Sequence, residues 1–138
     1  MNAPAPSQDR IFSELDHARI SRLARQHMAP DGTPPVILDI FDEGELLAPR
    51  DMPADVVTMY AQVVADDAQG NKVEVALCYP PDADPAQGRY SVMSPIGAGL
   101  LGRRVGETAA WTNPDGTQAS LRIRSLRFQP EASGNYTM

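Results

Sequence analysis

The chain is poor in the residues that support disulfide or zinc chemistry. Its 138 residues include one cysteine, Cys78, and two histidines, His17 and His27. An intrachain disulfide is therefore impossible, and the two histidines are not at a spacing typical of metal ligands. No stretch approaches the roughly twenty apolar residues of a membrane helix, and the opening MNAPAPSQDR lacks the apolar segment of a secretory signal. We expect a cytoplasmic protein with no cofactor, no metal site and no membrane partner.

Positive charge is also scarce. Twelve Lys and Arg stand against 18 Asp and Glu, which gives a formal net charge of −6. Nucleic-acid binding needs a cationic surface that can neutralise phosphates, so a direct nucleic-acid partner is not expected. Lys72 is the only lysine. Arginine forms paired hydrogen bonds with carboxylates, which favours a protein partner.

The N-terminal third has helical periodicity. We predict a disordered tail over 1–10, which has nothing to bury, and a short antiparallel helical hairpin over 11–48. Ser13 and Asp16 resemble a capping box at the start of the first helix, which should end near Met28. A second helix is predicted from Thr33 to Ala48, with Gly44 in its apolar stripe. Each helix would be roughly 20 Å long.

The remainder of the chain, 49–138, has the alternation of strands. We predict a five-stranded antiparallel sheet in which the strands lie at 56–65, 72–79, 90–93, 108–112 and 117–128. In the last strand, the apolar residues change parity at Ser125, which predicts a bulge or a change of buried face. Together with the hairpin, this pattern indicates the α+β class.

The central stretch SVMSPIGAGLLGRRVGE, residues 91–107, predicts a strand followed by a short helix that crosses the sheet. Ser94 can cap the helix, Pro95 suits its first position, and Gly102 suits its left-handed C-terminus. Two interpretations stay open at this point. Ser94 and Pro95 could form a surface turn that binds a partner, or the segment could simply be a well-capped crossover helix.

Catalytic motifs are missing from the sequence. The segment GAGLLG matches neither a P-loop nor a dinucleotide-binding fingerprint. Acidic residues cluster at Asp39, Asp42, Glu43 and Glu45, where they could hold a divalent ion or simply form a solvated face. The residues alone thus indicate a small binding module rather than an enzyme.

The stretch 91–107, followed by a strand, an NPDG turn and a last strand, resembles the C-terminal domain of the Gre transcript-cleavage factors. Three further blocks are similar to the regulator of nucleoside diphosphate kinase (Rnk) family. These blocks are DMPADVVTM (51–59), VGE (105–107) and FQPEASGNY (128–136). The resemblance implies that 49–138 forms an FKBP-like domain, an antiparallel sheet with one short crossing helix.

This resemblance also implies a partner, RNA polymerase, bound near the secondary channel. The residues that correspond to the polymerase-binding turn of Gre factors are Met93, Ser94, Pro95 and Ile96. Gre factors carry an acid where this chain has Met93. Their long coiled coil carries acids at its tip that help to bind the catalytic magnesium, whereas the tip here, RQHMAPDGTPP, has only Asp31.

The resulting expectation is a monomeric transcription regulator that binds polymerase without stimulating cleavage and competes with Gre factors. An effect on nucleoside diphosphate kinase would be indirect, through expression. Two alternatives belong to other classes. An FKBP-like fold would suit a prolyl isomerase, although Tyr60, Tyr79, Tyr90 and Trp111 are spread over different strands. A true cleavage factor would need Asp31 to serve at the polymerase metal.

Overall fold

The computed structural model describes residues 10–33, 35–42 and 44–135, so the predicted tail lies outside it except for Arg10. Arg10 is not part of a disordered tail, because it begins a strand. Within the described residues the chain forms seven strands and three α-helices. They are β1 Arg10–Ser13, α1 Glu14–Ala24, α2 Val36–Phe41, β2 Gly44–Leu47, β3 Gln62–Asp66, β4 Lys72–Cys78, β5 Arg89–Ser91, α3 Pro95–Leu100, β6 Thr108–Thr112 and β7 Gln118–Phe128.

Five strands form the main sheet in the order β5-β4-β3-β7-β6. All neighbours are antiparallel except β4 and β5, which are parallel. The prediction of a wholly antiparallel sheet was therefore wrong at this edge. The connection through residues 79–88 carries the chain back along β4 in two short 3-10 turns before β5 begins. Parallel neighbours require such a crossover, because a tight hairpin can join only antiparallel strands.

The first predicted strand, 56–65, starts only at Gln62. The preceding residues bind the segment after α3 instead. The Val57 amide donates to the Arg103 carbonyl at 2.8 Å, and the Gly102 amide donates to the Val57 carbonyl at 2.9 Å. Tyr60 then adopts a positive φ of 66°, which interrupts an extended strand.

The predicted irregularity in the last strand is confirmed. Val63 pairs with Leu126, and Val64 pairs with Ser125. The next residue, Ala65, pairs with Ile123, so the register shifts beside Ser125. A second shift follows next to Gln62. Each shift places one extra residue on β7, which is the definition of a bulge.

The N-terminal part differs from the predicted hairpin in its secondary structure. The first helix starts at Glu14, and Ser13 caps it by accepting from the Asp16 amide at 2.9 Å. The second helix is confined to Val36–Phe41, and the residues after it form β2, which pairs in parallel with β1. Gly44 lies against the Phe12 ring, where a Cβ atom would overlap the aromatic carbons. Close approach at Gly44 therefore serves a strand rather than a helix pair.

One buried cluster joins the N-terminal elements to the main sheet. Phe12, Ile20 and Ile37 belong to the same core as Val63 and Leu121. The division of the chain into 11–48 and 49–138 stays a prediction, but the first stretch packs on the sheet of the second. The core consequently includes residues from both ends of the described chain.

Arg10 fixes the N-terminal strand to α3. Its side chain is only 5 % exposed, and Nη1 donates to the carbonyls of Ala98 and Leu101 at 2.8 and 2.9 Å. The Ile11 amide adds a bond of 3.2 Å to the Gly102 carbonyl. These carbonyls lie at the C-terminal end of α3, where unsatisfied acceptors favour a cation.

Arg10→Met is therefore expected to lower the free energy of unfolding by about 2 kcal/mol, because two carbonyls lose a charged donor. Urea denaturation followed by circular dichroism measures the change. The control is Arg50→Met, which alters an exposed arginine and should stay within about 0.5 kcal/mol of the wild type. Equal stabilities of the two variants would contradict the proposed anchoring role of Arg10.

Candidate partner-docking site

Residues 91–96 include the end of β5, a tight turn and the start of α3, and we call this segment the Ser-Pro turn. Ser94 is the N-cap of α3, as predicted, and its Oγ accepts from the Gly97 amide at 3.2 Å. The same hydroxyl donates to the Ser91 carbonyl at 2.6 Å, and the Ser94 amide donates to that carbonyl at 2.9 Å. The turn is thus held by its own hydrogen bonds before any partner binds.

The four residues predicted to contact a partner lie half-buried in this turn. Val92 beside them is fully buried, whereas Met93, Ser94, Pro95 and Ile96 each retain exposed surface. Met93 and Ile96 also pack against the main core. The turn therefore presents an apolar surface with little freedom to move, which suits a docking site on a protein.

Gly97 allows α3 to lie directly on the strand before it. A Cβ atom at Gly97 would overlap the Ser91 carbonyl oxygen and would lie 2.9 Å from the Val92 Cα. The obstacle is backbone, so it cannot rotate away. Any side chain at this position would push the helix off the Ser-Pro turn.

Gly102 ends the helix segment in the predicted left-handed conformation, with φ at 84°. A Cβ atom there would lie 2.6 Å from Cε1 of Phe12. The position thus requires glycine for two reasons, the dihedral angle and the approach of β1.

The separate sequence blocks that carried the family resemblance contact one another and the segment after α3. Asp55 of the first block binds the Arg104 guanidinium through two hydrogen bonds of 3.1 and 3.2 Å. Glu107 accepts from the Arg104 amide at 2.9 Å. In the last block, the Gln129 side-chain amide donates to the carbonyls of Pro53 and Val56 at 2.8 and 2.6 Å. Sequence reasoning found the blocks but missed these contacts between them.

Among the described residues, Asp31 makes no hydrogen bond to the Ser-Pro turn, because its hydrogen bonds stay within the loop between α1 and α2. Its Oδ1 accepts from the Thr33 amide at 2.9 Å. Hydrogen bonds from the Thr33 hydroxyl and amide lower the pKa of this exposed carboxyl. The carboxylate closes the loop between α1 and α2, and it is the only acid in the segment 25–35.

The two histidines and the cysteine, which are the candidates for metal or thiol chemistry, each make a packing or hydrogen-bonding contact within the protein. The His17 ring packs on Phe41 at 4.5 Å between centroids, and His27 Nδ1 lies 3.1 Å from the Leu23 carbonyl. Cys78 is buried, its Sγ lies 3.5 Å from the Tyr90 carbonyl, and burial raises the pKa of its thiol. No group of three or more metal-ligating side chains occurs among the described residues, and Glu43 of the predicted acidic cluster lies outside them.

Among the residues that the structure describes, the aromatic side chains named above do not converge on one pocket. Tyr60 and Tyr79 contact each other at 5.7 Å between centroids, near α1. Trp111 is on β6, where it donates to the Asn113 side-chain oxygen at 3.0 Å and would contact any Cβ added to Gly99. In the part of the chain described, no helix is long and apolar enough to cross a membrane.

A buried carboxyl lies between α1, the 58–60 segment and the 3-10 turn Glu131–Ser133. Asp16 is 3 % exposed, and its Oδ2 accepts from the Met59 amide at 3.1 Å. Burial raises the pKa of Asp16 to about 6, and nearby Glu131, itself bound by the Thr58 hydroxyl at 2.8 Å, adds to the increase. Sequence analysis had assigned Asp16 only to a helix cap.

Comparison with known proteins connects this arrangement to transcription. The family model described as "Transcription elongation factor, GreA/GreB, C-term" matches residues 52–127. The "Regulator of nucleoside diphosphate kinase" of Escherichia coli strain K12 is 38 % identical over 133 residues, covering 93 % of this chain and 96 % of the relative. "Transcription elongation factor GreA" of Caldanaerobacter subterraneus is 27 % identical over 122 residues, covering 87 % of this chain and 77 % of the relative.

A solved structure supports the same assignment. The "Prokaryotic transcription elongation factor GreA/GreB from Nitrosomonas europaea" superimposes with a TM-score of 0.69 at 26 % identity, covering 87 % of this chain and 98 % of that one. The α+β arrangement with its curled sheet is therefore similar to a Gre protein. These relatives are named as regulators and transcription factors, not as catalysts. The chain belongs to the regulator of nucleoside diphosphate kinase (Rnk) family and contains a GreA/GreB C-terminal domain.

Proposed function

We propose that this protein is a noncatalytic transcription regulator that docks on RNA polymerase through the Ser-Pro turn. The observation that carries this assignment is the rigid, half-exposed turn at Ser94 and Pro95, on a domain shared with elongation factors. Docking near the secondary channel would place the protein in competition with Gre factors. The protein would act as a monomer in the cytoplasm, and its effect on nucleoside diphosphate kinase would be indirect.

The short N-terminal arm supports docking without cleavage. α1 has 11 residues and α2 has six, which corresponds to about 16 and 9 Å. Such an arm is too short to span a deep channel. Its tip offers one carboxylate, Asp31, which already accepts a hydrogen bond from its own loop. A single carboxylate is a weak site for magnesium, which usually takes several oxygen ligands.

We also propose that the main sheet and α3 form an FKBP-like arrangement. This likeness would not by itself carry isomerase activity, since function depends on a site rather than on a fold. The separation of Trp111 from the Tyr60–Tyr79 pair favours the regulator over the isomerase. The net charge of −6 favours contact with the polymerase protein over direct contact with nucleic acid.

Pro95→Asp should weaken polymerase binding at least tenfold, or by about 1.4 kcal/mol, because a charge would replace apolar contact at the centre of the turn. The measurement is displacement of a labelled cleavage factor from purified polymerase. The matched control is Pro114→Asp in the exposed β6–β7 turn, which should displace the factor as the wild type does. Equal displacement by both variants would refute the site.

A cleavage assay tests the proposal that the protein docks on polymerase without stimulating transcript cleavage. Backtracked polymerase complexes should show no increase in transcript cleavage when the wild-type protein is added. Stimulated cleavage that disappears in Asp31→Asn would show that the protein is a true cleavage factor.

A further inference from the structure

A second surface of the protein is an apolar groove between α1 and the 79–81 segment, with a volume of about 300 Å³. We call it the α1 groove. Leu23 and Tyr79 are half-buried in it, and Pro81 forms part of its outer wall. The groove shares no lining residue with the Ser-Pro turn. Its lining consists of Arg19, Arg22, Leu23, Gln26, Tyr79 and Pro81.

The edge of the α1 groove is positively charged, although the whole chain is acidic. Between Asp16 and Asp31 the sequence has three arginines and no carboxylate. Arg22 lines the groove, Arg25 follows it by three residues at the C-terminal end of α1 and so lies next to it on the helix surface, and both are exposed. The ion pairs among the described residues involve neither of them. Two guanidinium groups thus remain available to an incoming carboxylate beside an apolar surface.

We propose that the α1 groove binds an acidic segment of a partner protein that carries a leucine or phenylalanine side chain. The apolar side chain would fill the space between Leu23, Tyr79 and Pro81. Flanking Asp or Glu residues would pair with Arg22 and Arg25, since a guanidinium can hold a carboxylate through two hydrogen bonds. This combination of an apolar centre and a charged rim is the usual anatomy of a protein-binding groove.

Nucleic acid fits the α1 groove less well. Sequence-tolerant binding to phosphates depends on a cationic surface that follows the backbone, whereas the groove has an apolar lining and the chain a net charge of −6. A protein segment can place its apolar side chain in the centre and keep its carboxylates on the arginine side.

The test uses the full-length protein labelled with ¹⁵N and a 12-residue peptide in which Asp and Glu surround one Leu and one Phe. Saturable amide shifts are expected in residues 19–26 and at Tyr79, since Pro80 and Pro81 carry no amide proton. Arg22→Gln combined with Arg25→Gln should weaken binding at least tenfold, as should Pro81→Glu, which leaves α1 unchanged. Arg122→Gln on the exposed face of β7 is the control and should bind like the wild type.

Three results would refute the proposed partner. One is the absence of saturable shifts up to about 1 mM peptide. The others are equal binding of a twin peptide in which every acid is Lys, and stronger shifts at the same residues with poly(U) RNA. Because the experiment contains no polymerase and leaves the Ser-Pro turn unchanged, its failure would not affect the proposed docking through Pro95.

Discussion

Gly97→Ala is expected to lower the free energy of unfolding by about 3 kcal/mol, at the upper end of the usual cost of overpacking. Alanine normally stabilises a helix by up to about 1 kcal/mol relative to glycine. Here the added methyl group would overlap the Ser91 carbonyl oxygen and approach the Val92 Cα to 2.9 Å. The backbone atoms of Ser91 and Val92 cannot move aside as a flexible side chain can, so the steric cost exceeds the gain in helix propensity.

The matched control is Gly99→Ala in the same helix. Its Cβ would lie 3.0 Å from Cε3 of Trp111, a half-buried side chain that can tilt. We expect a change of less than about 1 kcal/mol with a shift in the emission of Trp111, the only tryptophan. Urea denaturation of both variants measures the difference. If Gly97→Ala were as stable as Gly99→Ala, the helix would not rest on the Ser-Pro turn as described.

The second large effect concerns pH. The pKa of Asp16 rises from 3.8 to about 6 on folding, mainly because burial disfavours its charged form. The folded state therefore binds more protons than the unfolded state between these values, and the free energy of unfolding should fall as pH rises through this window. The shift corresponds to a loss of about 3 kcal/mol from this group at pH 7.

Asp16→Asn tests this expectation, because asparagine keeps an oxygen that can accept from the Met59 amide but carries no charge. Relative to the wild type, the variant should gain up to about 3 kcal/mol above pH 6 and little below pH 4. Denaturation curves between pH 3.5 and 7.5 give the difference. A difference that does not vary with pH would show that folding does not raise the pKa of Asp16.

Asp67→Asn provides a control of opposite sign. Hydrogen bonds from the Asn71 and Gln69 amides lower the pKa of the Asp67 carboxyl. The stabilisation that its charge provides is present above the unfolded pKa and is lost as pH falls through the folded one. The variant should therefore be less stable than the wild type at neutral pH and approach it in acid.

Features that depend on neighbours in sequence were predictable. The cap at Ser94, the left-handed Gly102 and the strand Thr108–Thr112 all follow from local patterns, and the structure has each of them. The bulge beside Ser125 was visible because a change in strand parity is itself a local signal. The family resemblance also rested on contiguous blocks, and the comparisons confirm it.

Features that depend on distant partners were not predictable. Phe12 falls within the predicted hairpin and Gly44 in the apolar stripe of its second helix, but parallel pairing between β1 and β2 determines their conformation. Arg10 looked like part of a polar tail because its carbonyl acceptors lie in α3. Asp16 looked like a cap because the Met59 amide that it binds is 43 residues away. Single-sequence periodicity carries no information about such pairs.

The two candidate binding surfaces differ in the same respect, since one depends on neighbours in sequence and the other on distant residues. The Ser-Pro turn could be placed from its own residues, since the hydrogen bonds that cap its helix join residues between Ser91 and Ala98. The α1 groove could not, because Leu23 and Tyr79 come from elements that are far apart in the chain.

The bond between Arg10 and the Leu101 carbonyl spans 91 residues, and this has a consequence for synthesis on the ribosome. At roughly 5–20 residues per second, the N-terminal strand must wait about 5 to 18 seconds after its own translation before its acceptors exist. During this interval Phe12 and Ile20, which are fully enclosed in the finished molecule, have no sheet to pack against. The nascent chain is therefore most exposed to chaperones and proteases at its beginning, and folding becomes complete only late in translation.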